Sequence, residues 1–208
     1  MKNAAGSRLL VLLGVLCCAA CTVPDPEPGS GMSVSTSSGV VSAESGPEGS
    51  LIFRDIPFAQ SPEGAGRWAA PGRLETPEQV ISSKPEPVMC PQPQSMASGS
   101  AEGEYLGSED CLYLDIYAPG QAAASDLPVM LWIHGGSNVT GHKGTYDFSR
   151  FAAREQVVVV VINYRLGPFG WFVHPALNGA DLKTSPLANF RTLAMVDALR
   201  WPQRHLPE

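Results

Sequence analysis

Pro128-Val129-Met130-Leu131-Trp132-Ile133-His134-Gly135-Gly136 and, after a short break, Val157-Val158-Val159-Val160-Val161-Ile162 decide the fold class. The first is an apolar run that stops at His-Gly-Gly, so it predicts a buried strand entering a tight loop. The second is an unbroken run of β-branched residues, as in a strand covered on both faces of a parallel sheet. Between them, residues 147–156 suit a short helix with Asp147 or Ser149 as its N-cap. Beyond them, residues 187–201 place Phe190, Leu193, Val196 and Leu199 at helical spacing, with Ala194 and Ala198 beside them. That predicts a core-facing helix ending at Trp201, because Pro202 follows and an interior proline costs about 3 kcal/mol. Strand, helix, buried strand, helix is the α/β class, with right-handed crossovers.

Toward the N-terminus, Cys111 to Tyr117 alternates, placing Leu112, Leu114 and Ile116 on one face of a strand. Residues 60–110 are rich in Pro, Gly, Ser and Glu and predict long surface loops, which are usually functional or stapled. From Ser33 to Ser45 small and β-branched residues alternate, with a turn point at Gly39. Leu51 to Ala59 follows, and the two stretches together predict a small antiparallel β unit.

The chain has 208 residues, 44% of them hydrophobic and 16% charged, which is enough for one domain with a core, placed at 33–208. A formal net charge of −6 gives no basic face, so nucleic acid is not an expected partner. Residues 1–20 read as an export signal. Lys2 and Arg8 form a positive n-region, and Leu9 to Ala20 is an apolar stretch too short to span a bilayer, which needs about 20 residues. Cys18-Ala19-Ala20-Cys21 resembles the bacterial lipoprotein cleavage box, although Cys18 stands where leucine is usual. In that reading Cys21 Sγ carries a lipid that holds the chain to a membrane surface of the cell envelope. The alternative is ordinary cleavage near Ala20, giving a periplasmic or secreted chain. Residues 21–32, rich in Pro, Gly and Ser, suit a semi-rigid tether.

Of the five cysteines, Cys17 and Cys18 leave with the signal and Cys21 is the lipid candidate. Cys90 and Cys111 remain. In an oxidising compartment they are a natural disulfide pair, worth about 3 kcal/mol in the chain-entropy model; two buried free thiols are the alternative.

Several motifs now carry a resemblance. Glu109-Asp110-Cys111-Leu112-Tyr113-Leu114-Asp115-Ile116-Tyr117-Ala118-Pro119 resembles the cysteine signature of the type B carboxylesterases. Leu131 to Gly136 is similar to that family's oxyanion loop, and Val158 to Gly170 to its next strand and turn. Phe53 to Ala59, Arg67-Trp68 and Met89-Cys90-Pro91-Gln92 fall in the same order. The resemblance covers roughly residues 33–208 and implies the N-terminal part of an α/β-hydrolase: a mostly parallel central sheet with flanking helices.

That resemblance implies hydrolysis of a small carboxylic ester by a serine nucleophile, a histidine base and an acid that orients it, with no cofactor and no metal. The oxyanion hole would be Gly135, Gly136 and Ser137, with the N–H groups of Gly136 and Ser137 as donors. Ser137 departs from the family, which has a third glycine there. The resemblance also implies an ion pair between Arg67 and Glu109; the alternative is two solvated charges. No serine has glycine at both −2 and +2, so the nucleophile, acid and histidine are expected beyond Glu208. His134, His142, His174 and His205 do not stand where the family carries its base. A strand normally beside 128–133 would also lie beyond Glu208, which leaves that run as a sheet edge. The competing reading is a non-catalytic surface or interaction protein of the same fold, or a degenerate truncated product.

Overall fold

The computed structural model describes residues 32–94, 104–121, 126–172, 174 and 189–206. The expectations for the signal segment, for Cys21 and for nearly all of the tether lie outside them. Among the described residues no helix is long and apolar enough to cross a membrane.

The strands are β1 (Ser33–Thr36), β2 (Gly39–Ser42), β3 (Glu44–Ser45), β4 (Leu51–Pro57), β5 (Val80–Ile81), β6 (Gln92–Pro93), β7 (Tyr105–Leu106), β8 (Tyr113–Ala118), β9 (Val129–Ile133) and β10 (Val158–Ile162). The helices are α1 (Ser149–Glu155), α2 (Gly167–Gly170) and α3 (Phe190–His205). The central sheet runs β3-β4-β8-β10-β9, while β1-β2-β5 and β6-β7 form small separate sheets. β9 and β10 pair in parallel, as their two apolar runs predict. β8 pairs antiparallel with both β10 and β4, so the described sheet is mixed. The expected N-terminal stretches do form antiparallel pairs, β1 with β2 and β3 with β4, but they fall in two sheets, because β4 also pairs with β8 and so joins the central sheet.

β10 shows why an unbroken β-branched run suits the sheet centre. Val158, Val160 and Ile162 pack with Ala194, Ala198 and Trp201 of α3, and Val159 and Val161 pack with Ala152 of α1. Every residue of β10 is buried. β9 lies at the sheet edge among the described residues, and its ends Val129 and Ile133 are 48% and 44% exposed.

α1 begins at Ser149, one of the two expected caps, and its N-cap position is Phe148, between them. The Asp147 carboxylate accepts the Ser149 N–H at 2.8 Å, and Gln156 ends the helix in the left-handed region. α3 corrects two expectations. Its buried stripe is Phe190, Ala194, Ala198 and Trp201, whereas Leu199 is exposed. The helix therefore meets the sheet through small residues that let β10 approach closely. It also continues past Pro202 to His205. Pro202 is buried, and the last turn is anchored to the β1–β2 turn: Trp201 Nε1 donates to Ser38 Oγ at 2.9 Å, and Ser37 N–H donates to His205 Nε2 at 3.1 Å. That tertiary anchoring offsets the missing helical hydrogen bond.

Candidate active site

The candidate loop leaves β9 at His134 and returns at Gly141. His134 is buried; its ring stacks on Tyr164 with centroids 4.3 Å apart, and its carbonyl accepts the Tyr164 hydroxyl at 2.7 Å. Burial pushes the His134 imidazole below its ordinary range, so the ring is neutral at neutral pH. Gly136 sits at φ +116°, where a Cβ would fall 2.0 Å from the Thr140 carbonyl oxygen. Its own carbonyl accepts from the Val139 and Thr140 N–H groups, both at 3.0 Å, which closes a tight turn. Ser137 and Asn138 follow in the left-handed region at φ +54° and +62°. Two consecutive side-chain-bearing residues there represent stored backbone strain. The N–H groups of Gly136 and Ser137 donate to no acceptor among the described residues. Gly135 is less constrained: a Cβ there would meet nothing within 4 Å.

The loop is pinned at several points. Gly167 N–H donates to the Asn138 carbonyl at 2.8 Å. Gly141, at φ +113°, passes so close to its own starting strand that a Cβ would lie 2.4 Å from His134 Nδ1. The Gln92 side chain binds Gly141 from the other side, accepting its N–H at 2.7 Å and donating to its carbonyl at 3.0 Å. Two residues on, Lys143 is buried and its ammonium bridges Asp55 Oδ1 at 2.7 Å and Asp115 Oδ1 at 2.6 Å. The Lys143 N–H donates to Asn163 Oδ1 at 2.7 Å, and Asn163 Nδ2 donates to the Val88 carbonyl at 2.9 Å.

Asp55 occupies a β-bulge. The register between β4 and β8 shifts between Phe53 and Ile56, so Arg54 and Asp55 together oppose Asp115. Asp55 takes φ +54°, and its N–H donates to Asp115 Oδ1 at 2.8 Å. Burial raises the Asp115 carboxyl even against the pull of Lys143. The bulge thus aims a carboxylate at the one lysine that ends the loop.

Cys90 and Cys111 form a disulfide. Inside it, β6 and β7 pair, and Gly107 at φ +84° runs against the carbonyls of Met89 and Cys90. Arg67 and Glu109 form a two-pronged ion pair, with Nε donating to Oε2 at 2.6 Å and Nη2 to Oε1. Next to it, Trp68 Nε1 donates to the Pro168 carbonyl at 2.9 Å, tying this loop to α2.

Gln92, Asp55, Asp115 and Tyr164 stand in the sequence only as members of the resemblance motifs, with no site role, and Lys143 stands in none of them. A lysine among polar loop residues looks like a surface charge. Only the bulge, which needs the β4–β8 register, reveals where it goes.

A sequence profile described as the Carboxylesterase family matches residues 32–208. The chain belongs to the carboxylesterase family. The cocaine esterase of Homo sapiens is 40% identical over 170 residues, spanning 76% of this chain and 28% of that protein. The para-nitrobenzyl esterase of Bacillus subtilis (strain 168) is 37% identical over 156 residues, spanning 74% and 31%. A solved thermophilic PNB esterase superposes with a TM-score of 0.72 at 35% identity, over 85% of this chain and 36% of that one. The carboxylesterase of Geobacillus stearothermophilus gives 0.69 at 31% identity, over 84% and 35%. These neighbours place this carboxylesterase-family chain in the α/β-hydrolase fold. The chain spans under a third of the length of the two curated relatives named.

Proposed function

We propose that the chain carries the oxyanion-binding part of a serine-dependent carboxylic ester hydrolase. The observation that supports this most is the turn at Gly136 and Ser137, whose amides donate to nothing among the described residues while the loop around them is pinned. In this reading the ester carbonyl oxygen sits against those two amides. Attack by a serine makes it an oxyanion, and the fixed N–H dipoles stabilise that charge without reorganising. Removing one such donor typically lowers the rate by about 10² to 10³. Family membership supports the reaction class. The nucleophile, base and acid are assigned to sequence beyond Glu208, and the substrate is a small carboxylic ester. Residues 1–20 are assigned to export and Cys21 to a lipid anchor at the cell envelope.

The coding sequence beyond codon 208 tests this reading. A Gly-x-Ser-x-Gly motif at the turn after the next strand, together with hydrolysis of a short-chain nitrophenyl ester by the product, is the expected result. A product with that motif and with no ester hydrolysis would overturn it.

A further inference from the structure

We infer that Gln92 is the positioning residue through which the Cys90–Cys111 disulfide loop holds the 134–141 loop in register. This rests on the oxyanion reading of that loop. Gln92 is buried, and its backbone is fixed by pairing with Leu106 across the β6–β7 ribbon inside the disulfide loop. Cys90 lies two residues before it and is buried as well. The Gln92 amide spans the gap to the neighbouring loop. Oε1 accepts the Gly141 N–H at 2.7 Å, and Nε2 donates to the Gly141 carbonyl at 3.0 Å and to the Cys90 carbonyl at 3.1 Å.

Every polar atom of this side chain is engaged, and all partners are backbone groups. The arrangement fixes the orientation of the amide: turned over, it would set its NH₂ against the Gly141 N–H and its oxygen against two carbonyls. Only an uncharged group with both donor and acceptor serves here, so glutamate, though the same size, does not. It could still accept the Gly141 N–H, but it would present a carboxylate to the Gly141 and Cys90 carbonyls.

Gly141 is the point at which a clamp is effective. At φ +113° it closes the loop against His134 and Gly135, with its Cβ position 2.5 Å from the Gly135 carbonyl oxygen. Gly135 immediately precedes the two proposed donors. A shift of Gly141 therefore moves the backbone that carries them. Gln92 touches no reacting atom in this arrangement and acts only through Gly141.

Hydrogen–deuterium exchange of this chain tests the inference, reading the 134–142 peptide against a β10 peptide (158–162). Gln92→Ala and Gln92→Glu are each expected to speed exchange of the loop by about tenfold or more, as for the loss of two or three ordinary hydrogen bonds, with β10 unchanged. Reducing the disulfide is expected to speed loop exchange in the wild type and to add less than about twofold in Gln92→Ala, because the path between the two is already cut. Unchanged loop exchange in both variants would overturn the inference, as would additive effects of substitution and reduction, or acceleration spread equally over β10. If Gln92→Ala fails to fold, the isosteric Gln92→Glu decides on the same readout. Catalysis is not measured, so failure here removes the role of Gln92 and leaves the oxyanion reading, which Gly136→Ala tests separately.

Discussion

Lys143 Nζ stands 2.6 Å from Asp115 Oδ1, with both side chains almost completely buried, at the point where the candidate loop rejoins the sheet. A buried ammonium held by two carboxylates is a feature whose members cannot be removed singly without leaving an uncompensated charge. Lys143→Met is expected to destabilise by about 3–5 kcal/mol in denaturant unfolding at pH 7. The burial-raised carboxyl of Asp115 fixes the pH dependence. The folded pKa lies above the unfolded value of about 3.9, so its favourable contribution is full below that pH and is lost as pH rises through the folded value. The deficit of Lys143→Met should therefore shrink as pH is lowered toward 4. A deficit independent of pH would contradict this account of the triad.

Removing the Cys90–Cys111 bridge with the Cys90→Ala/Cys111→Ala pair should lower stability by about 3 kcal/mol, the figure expected for closing a loop of this size. The β6–β7 ribbon lies wholly within that loop, so its amides should lose protection first. Loss of stability without loss of ribbon protection would argue against the bridge as the organiser of this region.

His134, His142 and His205 are all pushed below the ordinary histidine range by burial. Their folded pKa values lie below the unfolded value of about 6.5. The stability they contribute is thus full above that pH and is lost as pH falls through the folded values. Protonation of His205 has a specific consequence. Its Nε2 accepts the Ser37 N–H and, with Nδ1 donating to the Trp201 carbonyl, the Ser37 hydroxyl at 2.9 Å. Thermal midpoints should be level between pH 8 and 7 and fall toward pH 5.5, above the ordinary carboxylate range. His205→Gln should flatten part of that fall; an unchanged slope would contradict the anchoring role of His205.

Arg165 is buried, and Nε and Nη1 have no hydrogen-bond partner among the described residues. Nη2 alone is satisfied, by the carbonyls of Ala69 at 2.9 Å and Phe190 at 3.2 Å. Burial pushes the guanidinium down to about 10. A buried cation with no carboxylate beside it among the described residues is a liability, so Arg165→Met should leave stability unchanged or raise it by up to about 2 kcal/mol. A loss larger than that in denaturant unfolding would show that the charge is compensated.

Much of the sheet could be read from residue order alone. The runs 128–133 and 157–162 announce a parallel pair because β-branched residues without polar interruption suit only a covered strand. α3 was legible as a helix and Phe190, Ala194 and Ala198 as part of its core side, but the centre of the buried stripe was not, since Leu199 is exposed. Leucine and valine at helical spacing pointed to one face, whereas the close approach of β10 selects Ala194 and Ala198. The glycine-bearing loop after Ile133 was visible from its composition. What pins it was not, because Gln92, Asp55 and Asp115 reach the loop through contacts distant in sequence. A lone glutamine or lysine gives no local sign that its partners are backbone atoms or buried carboxylates elsewhere.

The most direct measurement joins residues 32–206 to the complementary remainder of the Bacillus subtilis para-nitrobenzyl esterase and compares the hydrolysis of a nitrophenyl ester with and without Gly136→Ala. The added Cβ would fall 2.0 Å from the Thr140 carbonyl oxygen, so the turn must move and carry its amides out of line. The predicted result is an active chimera whose kcat falls by about 10² to 10³ on substitution, with KM changed far less. An active chimera whose kcat survives Gly136→Ala unchanged would contradict the assignment of the oxyanion donors to this turn.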